Sequence, residues 1–311
     1  MSAAYAEVIL DAHVHYHSGF SRRAFFDAAI CNLGAGAAEL GLSGPPASGL
    51  LFTESHGVDA FGRFAQEATG TPDTGSGWHF RKTGEGNSLW AVPHPENAAG
   101  PGDVENAAGP DNVENTESPE NTETAGWLLL VAGRQLVTDE GLEVLALGCR
   151  DMLADGMALR QARDAVIEAG GVPVVPWGFG KWSFRRGRVL GELIESDSPG
   201  RWFLGDNAGR PRLSLPPRLF ARAAEHGVFV LPGSDPLPLA GQGGAVGRCG
   251  FRLPAALDPQ RPAASVLDGM RGCREQPQTF GRYEGLASFA RHQLAMQLRQ
   301  RQAGPATGPR S

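Results

Sequence analysis

Seven short apolar runs, most with a helical pattern between them, constrain this chain more than any other feature. They fall at about residues 7–12, 50–53, 128–131, 143–147, 172–175, 202–204 and 228–231. Continuous apolar runs of this length read as strands buried on both faces. Segments 21–33, 59–68, 159–168, 186–195, 219–225 and 284–301 read as helices, with Ser21 as an N-cap for the first. Strands alternating with helices point to an α/β fold with a parallel sheet covered by helices. A hairpin over 78–82 and 88–92 interrupts the alternation. In closed β/α barrels chemistry gathers at the C-terminal ends of the strands. Polar groups fall there repeatedly: His13 and His15, Glu54, Gln135, Lys181, Asp206 and Asp235.

The first run is the most informative. Val8, Ile9 and Leu10 lead into Asp11, His13 and His15, spaced by two. Residues two apart on a strand point to the same side, about 6.5–7 Å apart along the chain. Two imidazoles at that spacing can lean onto one cation at about 2.0–2.1 Å from each nitrogen. The other reading is a pair of histidines hydrogen-bonded to backbone or water at a strand end.

At 311 residues the chain can bury a sizeable core, and β/α barrels of this length are common. A hydrophobic content of 41% and a mean hydropathy of −0.23 describe an ordinary soluble protein. No apolar run approaches a membrane span, and no signal peptide is visible. Cys31, Cys149, Cys249 and Cys273 are scattered without a CxxC pair, as expected of reduced thiols in a cytoplasmic protein. The net charge of −6 comes from residues 96–125, which hold eight Asp or Glu and no Lys or Arg; without them the balance is +2. No general polyanion-binding surface follows, so nucleic acid is not indicated as a partner.

Residues 96–125 form a degenerate repeat, ENAAGPGDV, ENAAGPDNV, ENTESP and ENTETAG, with almost nothing to bury. The expected organisation is one domain over 1–302, a disordered acidic insertion at 95–126 and a frayed tail at 303–311.

Taken in order, these motifs resemble the PHP family, the metal-dependent phosphoesterases named for polymerase and histidinol phosphatase. Asp11, His13 and His15 match its D-x-H-x-H motif. Thr53-Glu54-Ser55 approximates T-D-H, with His56 one residue late. Gly133-Arg134-Gln135 carries glutamine where the family has a metal-binding glutamate. Leu145 stands where many members carry histidine. GGVPVVPW resembles the glycine-rich strand ending in His-Pro, with Trp177 at the histidine position. Gly233-Ser234-Asp235 resembles G-S-D-x-H without the final histidine. The resemblance spans most of residues 7–250. It implies a distorted (β/α)7 TIM-like barrel and, since several ligands are missing, a reduced site with one metal ion. The wider amidohydrolase group also pairs H-x-H with a late aspartate.

On this reading His13, His15 and Asp235, with Glu54 and His56, hold Zn, Mn or Fe, and a metal-activated water attacks a phosphoester in a small anionic substrate. Lys181, between Gly180 and Trp182, could stabilise developing charge, carry a carbamate to the metal, or lie across tryptophan faces with its ammonium in water. Asp206 could serve as ligand, general base or turn residue. Arg185 and Arg210 could clamp the anion or simply be solvated, and Trp177 and Gln135 are placed to touch substrate. Two rivals stand beside phosphoester hydrolysis: amidohydrolase-type C–N or lactone hydrolysis, and a barrel without catalysis that binds a ligand or partner.

Overall fold

A computed structural model describes residues 7–42, 46–70, 74–94, 126–196, 202–212, 216–281 and 283–302. The acidic repeat and the tail at 303–311 lie outside the described residues. In chain order the elements are β1 (Val8–Val14), α1 (Arg22–Glu39), β2 (Ala47–Phe52), α2 (Ala60–Glu67), β3 (Trp78–Lys82), β4 (Ser88–Pro93), β5 (Leu128–Val131), β6 (Gly133–Val137), β7 (Glu143–Leu147), α3 (Leu159–Glu168), β8 (Val172–Pro176), α4 (Phe184–Ser196), β9 (Phe203–Asn207), α5 (Arg218–Glu225), β10 (Val230–Gly233), β11 (Cys249–Leu253), α6 (Pro262–Arg271), β12 (Thr279–Gly281) and α7 (Leu286–Gln302).

All seven expected strands form, but they do not close a barrel. They divide between a seven-stranded sheet, β12-β11-β1-β2-β5-β4-β3, and a five-stranded sheet, β10-β9-β8-β7-β6. The expectation of a (β/α)7 TIM-like barrel is therefore corrected. Among the strands of the described residues, parallel pairing is confined to β1–β2, β2–β5, β8–β9 and β9–β10. The pairs β1–β11, β11–β12, β3–β4, β4–β5, β6–β7 and β7–β8 are antiparallel. The physical reason is local. β6 follows β5 after the single residue Ala132, and β7 follows β6 after a short turn, so no crossover helix intervenes.

Alternation along the strands sorts the core into layers. Leu10, Leu51, Leu129, Leu145, Val174 and Phe203 meet between the two sheets, where α6 adds Val266 and Met270. The opposite faces of β1, β2 and β5 bury Ile9, Leu50 and Leu128 beneath Phe25 and Phe26 of α1 and Phe61 and Phe64 of α2. Val144, Val175 and Leu204 turn outward from the second sheet onto α3, α4 and α5. Helices thus cover the outside of two facing sheets.

The sheets touch along two glycine seams. A Cβ on Gly133 would sit 2.1 Å from the Phe52 carbonyl oxygen, and one on Gly233 would sit 2.3 Å from the His13 nitrogen. Only a residue without a side chain lets the backbones approach so closely. At the first seam Glu54 and Arg134 form an isolated parallel bridge. At the second, Asp235 N–H donates to the His13 carbonyl (2.8 Å).

Candidate metal centre

The second seam sets the site. Val8, Leu10 and Ala12 face the space between the sheets, while Ile9 and Val14 both face α1 and α2, so the alternation slips by one residue. The register of β1 against β2 shifts between Asp11 and Val14 accordingly. A bulge of this kind re-aims the side chains that follow it. Here it turns His13 and His15 toward the end of β10. Their Nε2 atoms lie 3.0 Å apart, and each is 3.6 Å from Oδ1 of Asp235. Three corners of a tetrahedron around a cation at about 2.0–2.1 Å lie about 3.3 Å apart. His13, His15 and Asp235 therefore fit a metal ion and can hold one.

The surroundings prepare these groups as ligands. Burial, with His13 alongside, pushes the His15 imidazole down to about 3, so it stays neutral with its lone pair available. Burial works to raise the Asp235 carboxyl, but His13, His15 and the Lys181 ammonium prevail and hold it below the usual carboxylate range. Asp235 sits at φ 46, in the left-handed region that favours glycine. Its other oxygen accepts from Nδ2 of Asn207 (3.0 Å), which also donates to the Trp177 carbonyl (3.1 Å). His17 stacks on His15 with ring centroids 5.8 Å apart and bonds the Pro236 carbonyl through Nε2 (3.0 Å).

Asp11, which opens the first motif, supports the group from behind. Its buried carboxylate accepts from the N–H groups of His13 (3.1 Å), Ser234 (2.8 Å) and Gly247 (2.8 Å), and from the Ser234 hydroxyl. Burial pushes it up to about 6, against the pull of those donors.

Asp235 opens onto a cleft of about 140 Å³. Trp177 and Lys181, both singled out in the sequence, line it with Glu143, Arg248, Glu284 and His292. Lys181 is ion-paired to Glu143. Glu284 accepts from Nδ1 of His292 (2.8 Å), whose Nε2 meets the Gln242 amide (3.1 Å). Gln135 lies beside His15.

The remaining sequence candidates lie elsewhere. Glu54 is buried at the first seam, accepting from the N–H groups of Ala60 (2.6 Å) and Phe61 (3.0 Å) and from Nη1 of Arg134 (3.0 Å). It caps α2 rather than joining the histidines. His56 is exposed on the turn that follows, outside the group of three. Asp206 is taken up by a two-pronged bond from Arg210 (2.8 and 2.7 Å), by the Tyr283 hydroxyl (3.0 Å) and by Asn207 N–H (3.0 Å). Neither Asp206 nor Arg210 is left to act on a substrate through those atoms. Arg185 is exposed at the start of α4, near Asp139.

Sequence reading missed Asn207, Glu143, Arg248, Glu284 and His292 as neighbours of the site. Asn207 directly follows Asp206 at the end of β9, and strand alternation would have put the two on opposite sides. The others come from segments whose approach depends on the two-sheet arrangement.

No family model matches the chain, and no curated protein does. Among solved structures, the crystal structure of PsfC from Pseudomonas syringae PB-5123 is similar to 96% of this chain and 99% of its own, at 12% identity and a TM-score of 0.45. A likeness of that size transfers neither fold nor activity.

Proposed function

We propose that this protein is a metal-dependent hydrolase that cleaves phosphoesters of small anionic substrates. The observation that carries the reading is the near-tetrahedral spacing of two imidazole nitrogens and one carboxylate oxygen at the mouth of a cleft. A partly buried set of two nitrogens and one oxygen suits Zn, Mn or Fe. One such ion with an open coordination position lowers the pKa of a water to about 7 and polarises a phosphoryl oxygen. The resemblance of Asp11-x-His13-x-His15 and Gly233-Ser234-Asp235 to the PHP motifs supports the phosphoester class.

The chain's own residues supply the rest. His15 offers a neutral nitrogen at neutral pH. Asn207 fixes the rotation of Asp235, so that Oδ1 faces the histidines. Lys181 reaches the field of Asp235 from across the cleft, and Glu143 restrains it there. Its ammonium is placed to offset charge on a leaving oxygen.

Elemental analysis of the purified chain tests this. We expect about one divalent ion per chain, lost in His13→Ala and in Asp235→Ala. The metal-loaded protein should then turn over p-nitrophenyl phosphate. Metal with turnover of amides or lactones instead favours the amidohydrolase alternative. A metal-free, equally stable protein in all three forms would leave a binding module.

A further inference from the structure

The cleft beyond Asp235 holds a cation that the metal centre does not use. Its other charged groups have partners: Lys181 pairs with Glu143, Glu284 faces Nδ1 of His292, and Asp235 faces the two imidazole nitrogens beside which a metal would sit. Arg248 lines the same cleft, half-buried, and its guanidinium has no hydrogen-bond or ion-pair partner among the described residues. The backbone around it is well anchored. Arg248 N–H bonds the Ala245 carbonyl (3.2 Å), and the next residue begins β11. Gly247, directly before it, donates to Asp11, the carboxylate that also holds His13 and Ser234. One buried group therefore fixes the segments that carry His13, Asp235 and Arg248 in relation to one another.

We propose that Arg248 is the anion receptor of this cleft, taking the non-bridging oxygens of a phosphate monoester whose phosphorus faces His13, His15 and Asp235. The assignment rests on the hydrolase reading above and narrows it to monoesters. A guanidinium presents a planar fork of N–H donors that fits two phosphate oxygens at once. Charge balance points the same way. A divalent ion with the Asp235 carboxylate leaves one positive charge, and Arg248 adds a second. The Lys181–Glu143 pair cancels, and Glu284 is turned to Nδ1 of His292 (2.8 Å). A phosphate monoester brings negative charge to meet this surplus; an amide or lactone brings none. Trp177, Phe179 and Phe289 line the same cleft and give an organic ester group an apolar wall.

Titration of the full, metal-loaded chain with inorganic phosphate tests the assignment, with metal content measured on every sample. We expect R248Q to weaken phosphate binding by about tenfold or more, and R248K to keep part of it. Both variants should retain the wild-type metal content and melting temperature. With p-nitrophenyl phosphate, R248Q should raise KM more than it lowers kcat. A wild-type chain that takes up no phosphate, or an R248Q chain that binds it within about twofold of wild type, overturns the proposal. Wild-type protein without metal sinks the hydrolase reading instead. Phosphate titration of that metal-free chain still decides Arg248 by the same comparison.

Discussion

Asp11 and His15 stand four residues apart and meet burial in opposite ways. Asp11 gathers N–H donors from three segments on its carboxylate, so its charge and shape hold the site without touching a ligand position. Replacing it by asparagine turns an NH₂ toward donors and leaves at least one of them unpaired. We expect Asp11→Asn to cost about 2–4 kcal/mol in denaturant unfolding and to weaken metal binding through His13 and Asp235. Wild-type stability in that variant would remove Asp11 from its supporting role. His15 predicts a pH effect. Its folded-state value of about 3 lies below the ordinary 6.5. Between those values the unfolded chain therefore binds a proton that the folded chain does not, and the metal-free protein loses stability as pH falls from about 6.5 toward 3. His15→Gln removes that penalty. The melting temperature of the metal-free variant, relative to wild type, should rise as the buffer is taken from pH 7 to pH 4. A constant difference would contradict the buried, neutral imidazole.

Strands and helices were largely legible from the chain because their signals are local. The apolar runs at 128–131 and 143–147 appear as β5 and β7 with the bounds expected, and Ser21 caps α1 by accepting from Ala24 N–H. The bulge in β1 was not legible, because period-two spacing of His13 and His15 looks the same on a regular strand. Glu54 failed as a ligand for a related reason. A carboxylate at a strand end serves a metal or a helix N-terminus equally well, and only the direction of α2 decides between them. Here Ala60 and Phe61 offer their unpaired N–H groups to it, while Arg134 balances its charge. Burial still raises its carboxyl above the usual range. Glu54→Gln keeps one acceptor for the helix but loses the ionic bond to Arg134. A cost of about 1–3 kcal/mol is expected, with metal content unchanged. Loss of metal in this variant would put Glu54 back among the ligands.

At the scale of the whole molecule, the alternation of strands and helices did not determine closure. The same seven runs serve a barrel or two facing sheets; the choice lies with the connections and with two glycine seams. Gly133 admits Phe52 and Gly233 admits His13, and each brings the end of one sheet against the other without extending a ladder. The metal ligands straddle the second seam, two from β1 and one from just beyond β10, so the site exists only when both sheets are packed. The acidic repeat lies in a connection within the first sheet. It joins β4 to β5, which already pair antiparallel from Ser88↔Val131 to Ala91↔Leu128. The chain on either side of the repeat converges: a Cβ built on Gly126 would lie 3.9 Å from Cγ of Pro93. Antiparallel neighbours need only a hairpin turn of about two to five residues. We therefore expect a chain in which residues 95–125 are replaced by a four-residue glycine-containing turn to keep its melting temperature within about 4 °C and its metal content intact. Closing a shorter loop also loses less chain entropy, which favours the shortened form slightly. A shortened chain that folds but no longer binds metal would show that the repeat reaches across the seam to His13, His15 and Asp235.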